Sequence, residues 1–210
     1  MTILQNDVVC HEEKLLIYEM FWHYYRGEFH RLTPIQWKQL AQILRDLQSF
    51  VINHDISQAL KILEDVNESD LETFEYDYNR LFVGPNGLLS SPFESSYRNL
   101  EGTIMQQDTL KVRNFYHHVG LQVENEGQVP DDHIVFELEL ILHLLNDQLL
   151  EHQQLYQMFL EQHLFKWIFE HCSRVMKNSQ HPITYAMGVL LKEFLQLEKR
   201  DTEGGNSNDN

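Results

Sequence analysis

Apolar residues recur every three or four positions along most of the chain, the spacing that lines up one face of a helix. From Glu12 to Phe29 they fall at Leu15, Tyr18, Trp22, Tyr25 and Phe29, with Gly27 near the end of the segment. Thr33-Pro34 then supplies an N-cap followed by proline at the first helical position, and Ile35, Leu40, Ile43, Leu44, Leu47 and Val51 carry a second helix. A third, shorter helix is predicted from Ser57 to Val66, with Leu60 and Leu63 facing inward. Ser69 opens a fourth, because Ser69-Asp70-Leu71-Glu72 has capping-box form, and this helix carries Phe74, Tyr78 and Leu81. Leu100 to Val119 predicts a fifth through Ile104, Met105, Val112, Phe115 and Tyr116, closed by Gly120. Pro130-Asp131-Asp132 starts a sixth, which runs through Ile134, Leu138, Ile141, Leu142 and Leu145. The seventh spans about Glu151 to Met176, with Leu155, Phe159, Ile168, Cys172 and Val175 inward. Pro182 begins the eighth, carrying Tyr185, Val189, Phe194 and Leu197.

The longest break in this pattern is Leu81–Tyr97, LFVGPNGLLSSPFESSY. Gly84, Pro85, Gly87 and Pro92 prevent a helix, yet Phe82, Val83, Leu88, Leu89, Phe93 and Tyr97 make it too apolar for a solvent-washed linker. Such a loop is either packed into the core or offered to a ligand. Asn86-Gly87 has flanks too short and irregular for a hairpin, and no alternating strand of useful length occurs elsewhere. The expected architecture is all-α: one helical-bundle domain of about eight helices over residues 1–199, with a Pro/Gly-containing central loop. Residues 200–210 (RDTEGGNSNDN) are poor in apolar side chains and are expected to be a disordered tail.

Composition supports this and narrows the partners. In a chain of 210 residues, 42% hydrophobic and 11% aromatic content argue for a folded globule. The 32 acidic and 16 basic residues leave a net charge of −16, which disfavours nucleic-acid backbones and anionic membranes and favours basic partners. The N-terminus has no basic segment followed by an apolar one, and no apolar run approaches the roughly 18 residues that span a bilayer, so a cytoplasmic protein without membrane insertion is expected. Cys10 and Cys172 have no metal or redox spacing.

The second stretch of interest is Pro130–Leu138, PDDHIVFEL. Asp131 and Asp132 stand at a helix start, where carboxylates accept backbone N–H bonds and meet the positive end of the helix dipole. His133 and Glu137, four apart, can pair with each other or supply half a metal site. The 12 histidines, among them His117, His118, His143, His152, His163 and His171, form no HExxH or comparable pattern. Ser90, Ser91, Ser95 and Ser96 are not in a nucleophile elbow, and Gly84 and Gly87 make no phosphate loop. Neither a catalytic set nor a cofactor site is marked. An acidic helix start beside an apolar loop suits a ligand with a cationic end and an apolar continuation. The residues alone do not bring the two stretches together. A metal-dependent hydrolase using His133 and Glu137 and a helical adaptor for a folded partner both stay open.

Two motifs carry a resemblance. Tyr78-x-x-Leu81-Phe82-Val83-Gly84-Pro85 followed by Ser91-Pro92-Phe93-Glu94-Ser95-Ser96-Tyr97 resembles the central signature of the TorD/DmsD family, cytoplasmic chaperones of molybdenum-containing redox enzymes. Pro130-Asp131-Asp132-His133 with Glu137-Leu138 resembles that family's second signature, in which Val129 stands where glutamate is usual. His163-Leu164-Phe165-Lys166-Trp167 and His181-Pro182 with Tyr185 are similar to later segments. Phe93 and Tyr97 stand where some members have tryptophan, and Asn79 replaces an aromatic. The resemblance implies a non-catalytic chaperone of anaerobic respiration that needs no cofactor. Its expected partners are the twin-arginine signal peptide and body of a molybdenum-containing oxidoreductase precursor, met as monomer or dimer. The expected contacts are Asp132 and His133 at the peptide's basic end, with Tyr78, Leu81, Phe82, Gly84, Pro85, Pro92, Phe93 and Tyr97 along its apolar part.

Overall fold

The computed structural model describes residues 9–48, 53–84, 87–98, 105, 107–146 and 149–205. Among them are ten α-helices and no strand. The first, α1 (His11–Tyr25), buries Ile17, Tyr18, Phe21, Tyr24 and Tyr25. That face is rotated from the expected one, and Leu15 and Trp22 are only partly covered. Gly27 ends it in the left-handed region (φ 74°), and a 3-10 turn over Glu28–Arg31 then returns Phe29 to the core.

Thr33 caps α2 (Pro34–Asp46), as its sequence predicts, and does so in a reciprocal box with Gln36 that the sequence reading did not include. The buried stripe, however, is Trp37, Ala41 and Leu44, while Ile35 and Ile43 are 71% and 50% exposed. Trp37 decides the orientation: its ring meets Phe29 and Phe74 edge-on at 5.4 and 5.6 Å. Packed on α2 is α3 (His54–Glu64), which begins earlier than expected because the Asn53 side chain accepts from the Asp55 amide. Likewise Asn67, not Ser69, caps α4 (Glu68–Phe82), in a reciprocal box with Asp70.

Beyond the central loop come α5 (Ser95–Arg98), α6 (Gln107–His118) and α7 (Ile134–Asn146), the last packed against α1. The expected fifth helix is thus shorter at its start: Met105 has φ 58°, and residues 99–104 and 106 lie outside the described residues. The expected seventh helix is two, α8 (Leu150–Gln162) and α9 (Ile168–Asn178), separated by a 3-10 turn over Leu164–Lys166. The break falls between His163 and Trp167, whose side chains both reach buried carboxylates, as described below.

Last comes α10 (Pro182–Gly205), which packs on α3 and α9 through Ile183, Ala186, Met187, Leu190, Phe194 and Leu195. Tyr185, expected inward, is 45% exposed. The helix continues through residues 200–205, part of the expected disordered tail; residues 206–210 lie outside the described residues. Polar contacts hold this extension. Buried Glu198 meets the Lys14 ammonium at 2.6 Å and accepts from Tyr18 and Tyr156, Thr202 Oγ1 donates to the Glu198 carbonyl, and Asp201 accepts from the Val9 amide.

The start of α10 is secured from α4. Asp77, 2% exposed, accepts from the Gln180 and His181 amides at 3.0 Å, from Thr184 Oγ1, and from Arg80 at 2.6 Å. Burial alone would push its carboxyl pKa up, but the bonds from Thr184, Arg80 and the two amides outweigh it and hold the pKa below its ordinary value. Its stabilisation is therefore present at neutral pH and lost as pH falls through that depressed value. Asp77→Ala leaves the Gln180 and His181 amides without their acceptor and the partly buried Arg80 without its carboxylate, and urea unfolding at pH 7 should register a loss of about 3 kcal/mol.

Candidate functional site

After α4 the chain turns back on itself. The Gly84 amide donates to the Asn79 carbonyl at 2.8 Å, and the Ser90 amide donates to the Leu81 carbonyl at 3.4 Å. Residues 92–94 then run antiparallel to 132–134: the Ile134 amide donates to the Pro92 carbonyl at 2.8 Å and the Glu94 amide to the Asp132 carbonyl at 3.0 Å. Phe93 stands opposite His133, their rings edge-to-face at 4.9 Å. Pro92 suits its place, because its carbonyl is used and it has no amide to satisfy. This short pairing unites the two sequence signatures.

The aspartates do not cap their own helix. Asp132, fully buried, accepts from the Ser95 amide at 2.7 Å through Oδ2 and from Thr109 Oγ1 at 3.0 Å through Oδ1, tying α5 and α6 to the start of α7. Asp131 accepts from Arg113 at 2.5 Å. Capping falls to His133, whose Nδ1 accepts from the Val135 amide at 3.1 Å, leaving the ring proton on Nε2. Burial lowers its pKa to about 4, so the ring is neutral at physiological pH. Of the two options open to His133 and Glu137, the mutual pair is not made: Glu137 Oε2 accepts from Trp167 Nε1 at 3.1 Å. Burial, and next the charge of Glu94, raises the Glu137 pKa far above the usual carboxylate range. Glu94 itself meets His163 Nδ1 at 3.0 Å and Arg98 at 3.5 Å.

A third knot ties the loop to α9. The Ser91 carbonyl accepts from Tyr97 OH at 2.7 Å and from His171 Nδ1 at 3.0 Å. A carbonyl only accepts, so Nδ1 carries the proton and Nε2 accepts from Tyr25 OH, 2.7 Å away. Burial lowers the pKa of His171 to about 3. Tyr78 OH donates to the Tyr25 carbonyl at 2.7 Å, which steadies Tyr25 from beneath.

Of the residues expected to form the site, Tyr78, Leu81, Phe82, Pro92 and Asp132 are buried, and Gly84, Phe93, Tyr97 and His133 are partly exposed. Pro85 lies outside the described residues. Leu81 and Phe82 therefore belong to the core, and Asp132, with both carboxylate oxygens engaged, has no open face for an incoming cation. What faces outward beside Phe93 in the loop is Val83 and Leu89, 63% and 44% exposed. The reading from sequence missed Tyr25 and His171 as site residues, because nothing in local spacing links positions so far apart in the chain. Among the described residues no three His, Cys, Asp or Glu side chains gather as a metal site would require, and no helix is long and apolar enough to cross a membrane.

Residues 37–173 match the family model of the nitrate reductase delta subunit. The Tat proofreading chaperone DmsD of Salmonella typhimurium is 27% identical over 170 residues, covering 80% of this chain and 79% of that protein. The chaperone protein TorD of Vibrio cholerae is 25% identical over 167 residues, covering 74% of each. A solved redox enzyme maturation protein from Archaeoglobus fulgidus aligns with 79% of this chain and 94% of its own, at 22% identity and a TM-score of 0.46.

Histidines shielded by the fold, His171 fully and His133 for most of its ring, make stability pH-dependent. His133 and His171 are neutral in the fold and take up protons near pH 6.5 when unfolded, so their contribution is present above pH 6.5 and lost as pH falls toward 4. His30 and His181, lowered by burial, act in the same direction. Glu137 opposes them, since it keeps in the fold a proton that the unfolded chain releases as pH rises past its ordinary value. His171→Gln keeps a donor for Ser91 and an acceptor for Tyr25 but does not titrate. Urea unfolding between pH 5 and 6 should show its stability slope reduced by about 1.4 kcal/mol per pH unit relative to the parent.

Proposed function

The chain belongs to the nitrate reductase delta subunit and TorD/DmsD family, and on that premise we propose that it is a cytoplasmic chaperone for the twin-arginine signal peptide of a molybdenum-cofactor oxidoreductase precursor. It holds the precursor back from export until the cofactor is in place. The observation that carries this reading is the antiparallel pairing of Pro92–Glu94 with Asp132–Ile134, which sets Phe93 and His133 side by side at the surface. Val83 and Leu89 extend the apolar surface offered by the same loop. A signal peptide has a basic segment followed by an apolar one, the complement of such a surface on a chain of net charge −16.

In this reading the predicted site residues divide by accessibility. Gly84, Phe93, Tyr97 and His133 touch the peptide, whereas Tyr78, Leu81, Phe82, Pro92 and Asp132 position them. The role is non-catalytic: Glu94, Asp132, Glu137 and His171 are engaged in bonds that hold the loop, and the surface presents shape and apolar contact rather than a reactive group.

Co-purification tests the reading. A tagged copy expressed under anaerobic conditions should carry a molybdoenzyme precursor, and deletion of that precursor's signal peptide should abolish its recovery. Recovery that survives the deletion would mean recognition of the folded body instead. Phe93→Ala should weaken binding of the isolated peptide about tenfold with the helical circular dichroism signal unchanged.

A further inference from the structure

A cleft of about 440 Å³ opens at the end of α4 away from the loop, where α3 ends and α10 begins. Its floor is apolar: Val66 and Ile183 are buried and Ile62 is half-buried, with Pro182 alongside. His181 lines it, and because Nδ1 accepts from the Ile183 amide at 3.2 Å, the remaining proton is on Nε2 as a donor. Asp65 and Asp70 stand at its edge. Asp70 uses Oδ2 for the Asn67 amide, and Oδ1 has no partner among the described residues. Asp65 is exposed, and its carboxylate makes no hydrogen bond or ion pair among the described residues.

The electrostatics of this cleft favour a cation. Two helices start here, but the amides at their N-termini already have acceptors: Asn67 takes the Ser69 amide and Asp70 the Asn67 amide at α4, while His181 takes the Ile183 amide and Asp77 those of Gln180 and His181 at α10. The helix that ends here, α3, presents its negative pole. One ammonium, Lys61, also lines the cleft, and it makes no ion pair among the described residues. The donor on His181 Nε2 suits the carbonyl of a bound chain, and the floor suits an apolar side chain next to the cation. Together these features describe a peptide segment with an arginine beside an apolar residue.

We propose that this cleft receives an arginine side chain of the signal peptide's basic segment, with Asp65 and Asp70 accepting the guanidinium and Ile62, Val66 and Pro182 packing the neighbouring residue. This rests on the signal-peptide reading above, and it moves the basic end of the ligand away from Asp132. Geometry connects the two ends. From Asp70 to Val83, α4 rises about 20 Å, and an extended chain covers that distance in about six residues. Along the way Tyr76 is 71% exposed, two turns before Val83 and on the same face. A basic residue seated in the cleft would thus place the following apolar stretch against Val83, Leu89 and Phe93.

The test is fluorescence anisotropy with the full chain and two labelled peptides. One has adjacent arginines ahead of a leucine-rich stretch; the other has glutamines in their place. The variant is Asp65→Asn with Asp70→Asn, in which residue 70 keeps an oxygen for the Asn67 amide. The arginine peptide should bind the variant about tenfold more weakly than the parent and with a shallower salt dependence, while the glutamine peptide should bind both alike. Equal binding of the arginine peptide to parent and variant, with Phe93→Ala still weakening it, would overturn the cleft assignment and leave the signal-peptide reading standing. No binding of either peptide to the parent would overturn both.

Discussion

A loop that carries residues such as Ser90, Ser91 and Pro92 into the interior of a helical protein must find partners for peptide groups that no helix supplies. Here the partners come from three directions. The Leu81 carbonyl of α4 takes the Ser90 amide; the start of α7 takes the Glu94 and Ser95 amides and gives the Ile134 amide to Pro92; α9 gives Asn178 to the Leu89 carbonyl and His171 to the Ser91 carbonyl. Each such bond contributes only about 1 kcal/mol net, but a buried peptide group left without one costs about 1–3 kcal/mol. The loop is therefore held less by strong attraction than by the lack of any other arrangement that satisfies it. That requirement fixes how α4, α7 and α9 sit relative to one another, and with them the exposed side of Phe93 and His133.

Much of this polar framework is uncharged. His133 and His171 are neutral because burial favours the neutral ring, and the proton position on each follows from what its partners can donate or accept. The same device starts two helices. At α7 and at α10 a histidine turns Nδ1 back to the amide two residues on, and an aspartate close by secures the neighbouring segment. Neutral groups suit such joints, since a buried histidine cation would need an anion of its own. The aspartates at these joints are each surrounded by donors: Asp132 by Ser95 and Thr109, Asp77 by two amides, Thr184 and Arg80.

The all-α class was legible from three- and four-residue spacing, and the start of α2 from Thr33-Pro34, because both depend on neighbours in the chain. The faces were less legible. On α2 the apolar count favoured Ile35 and Ile43, but Trp37 has the greater area to bury and small Ala41 lies on its side, so the helix turns that way. The split between α8 and α9 was hidden for a related reason: apolar periodicity carries across His163 and Trp167, and only their distant partners Glu94 and Glu137 show why the chain bends there. Motif order picked out a loop and a helix start that the fold pairs with each other. It did not reveal that Asp132 faces inward, because an aspartate before a helix reads the same whether it meets solvent, its own helix or a neighbouring one.

The inward turn of Asp132 has a consequence for how a bipolar ligand is read. The cleft carboxylates, Asp65 and Asp70, stand at the other end of α4, so the cleft and the apolar loop lie about 20 Å apart along one helix rather than at one point. That helix is anchored at both ends by the same network. Asp77 holds His181 beside the cleft and also holds Arg80; Arg80 donates to the Asn178 carbonyl, and the Asn178 side-chain Nδ2 donates to the Leu89 carbonyl in the loop. A peptide laid along α4 would meet a surface whose two ends are already fixed in relation to each other, so little ordering of the protein would oppose binding. It would also be measured by its length: a basic pair and an apolar stretch set too close together could not reach both ends. On this proposal, a helix braced in this way would select its ligand by the spacing of charge and apolar residue, which sequence-variable peptides can share without sharing any particular side chain.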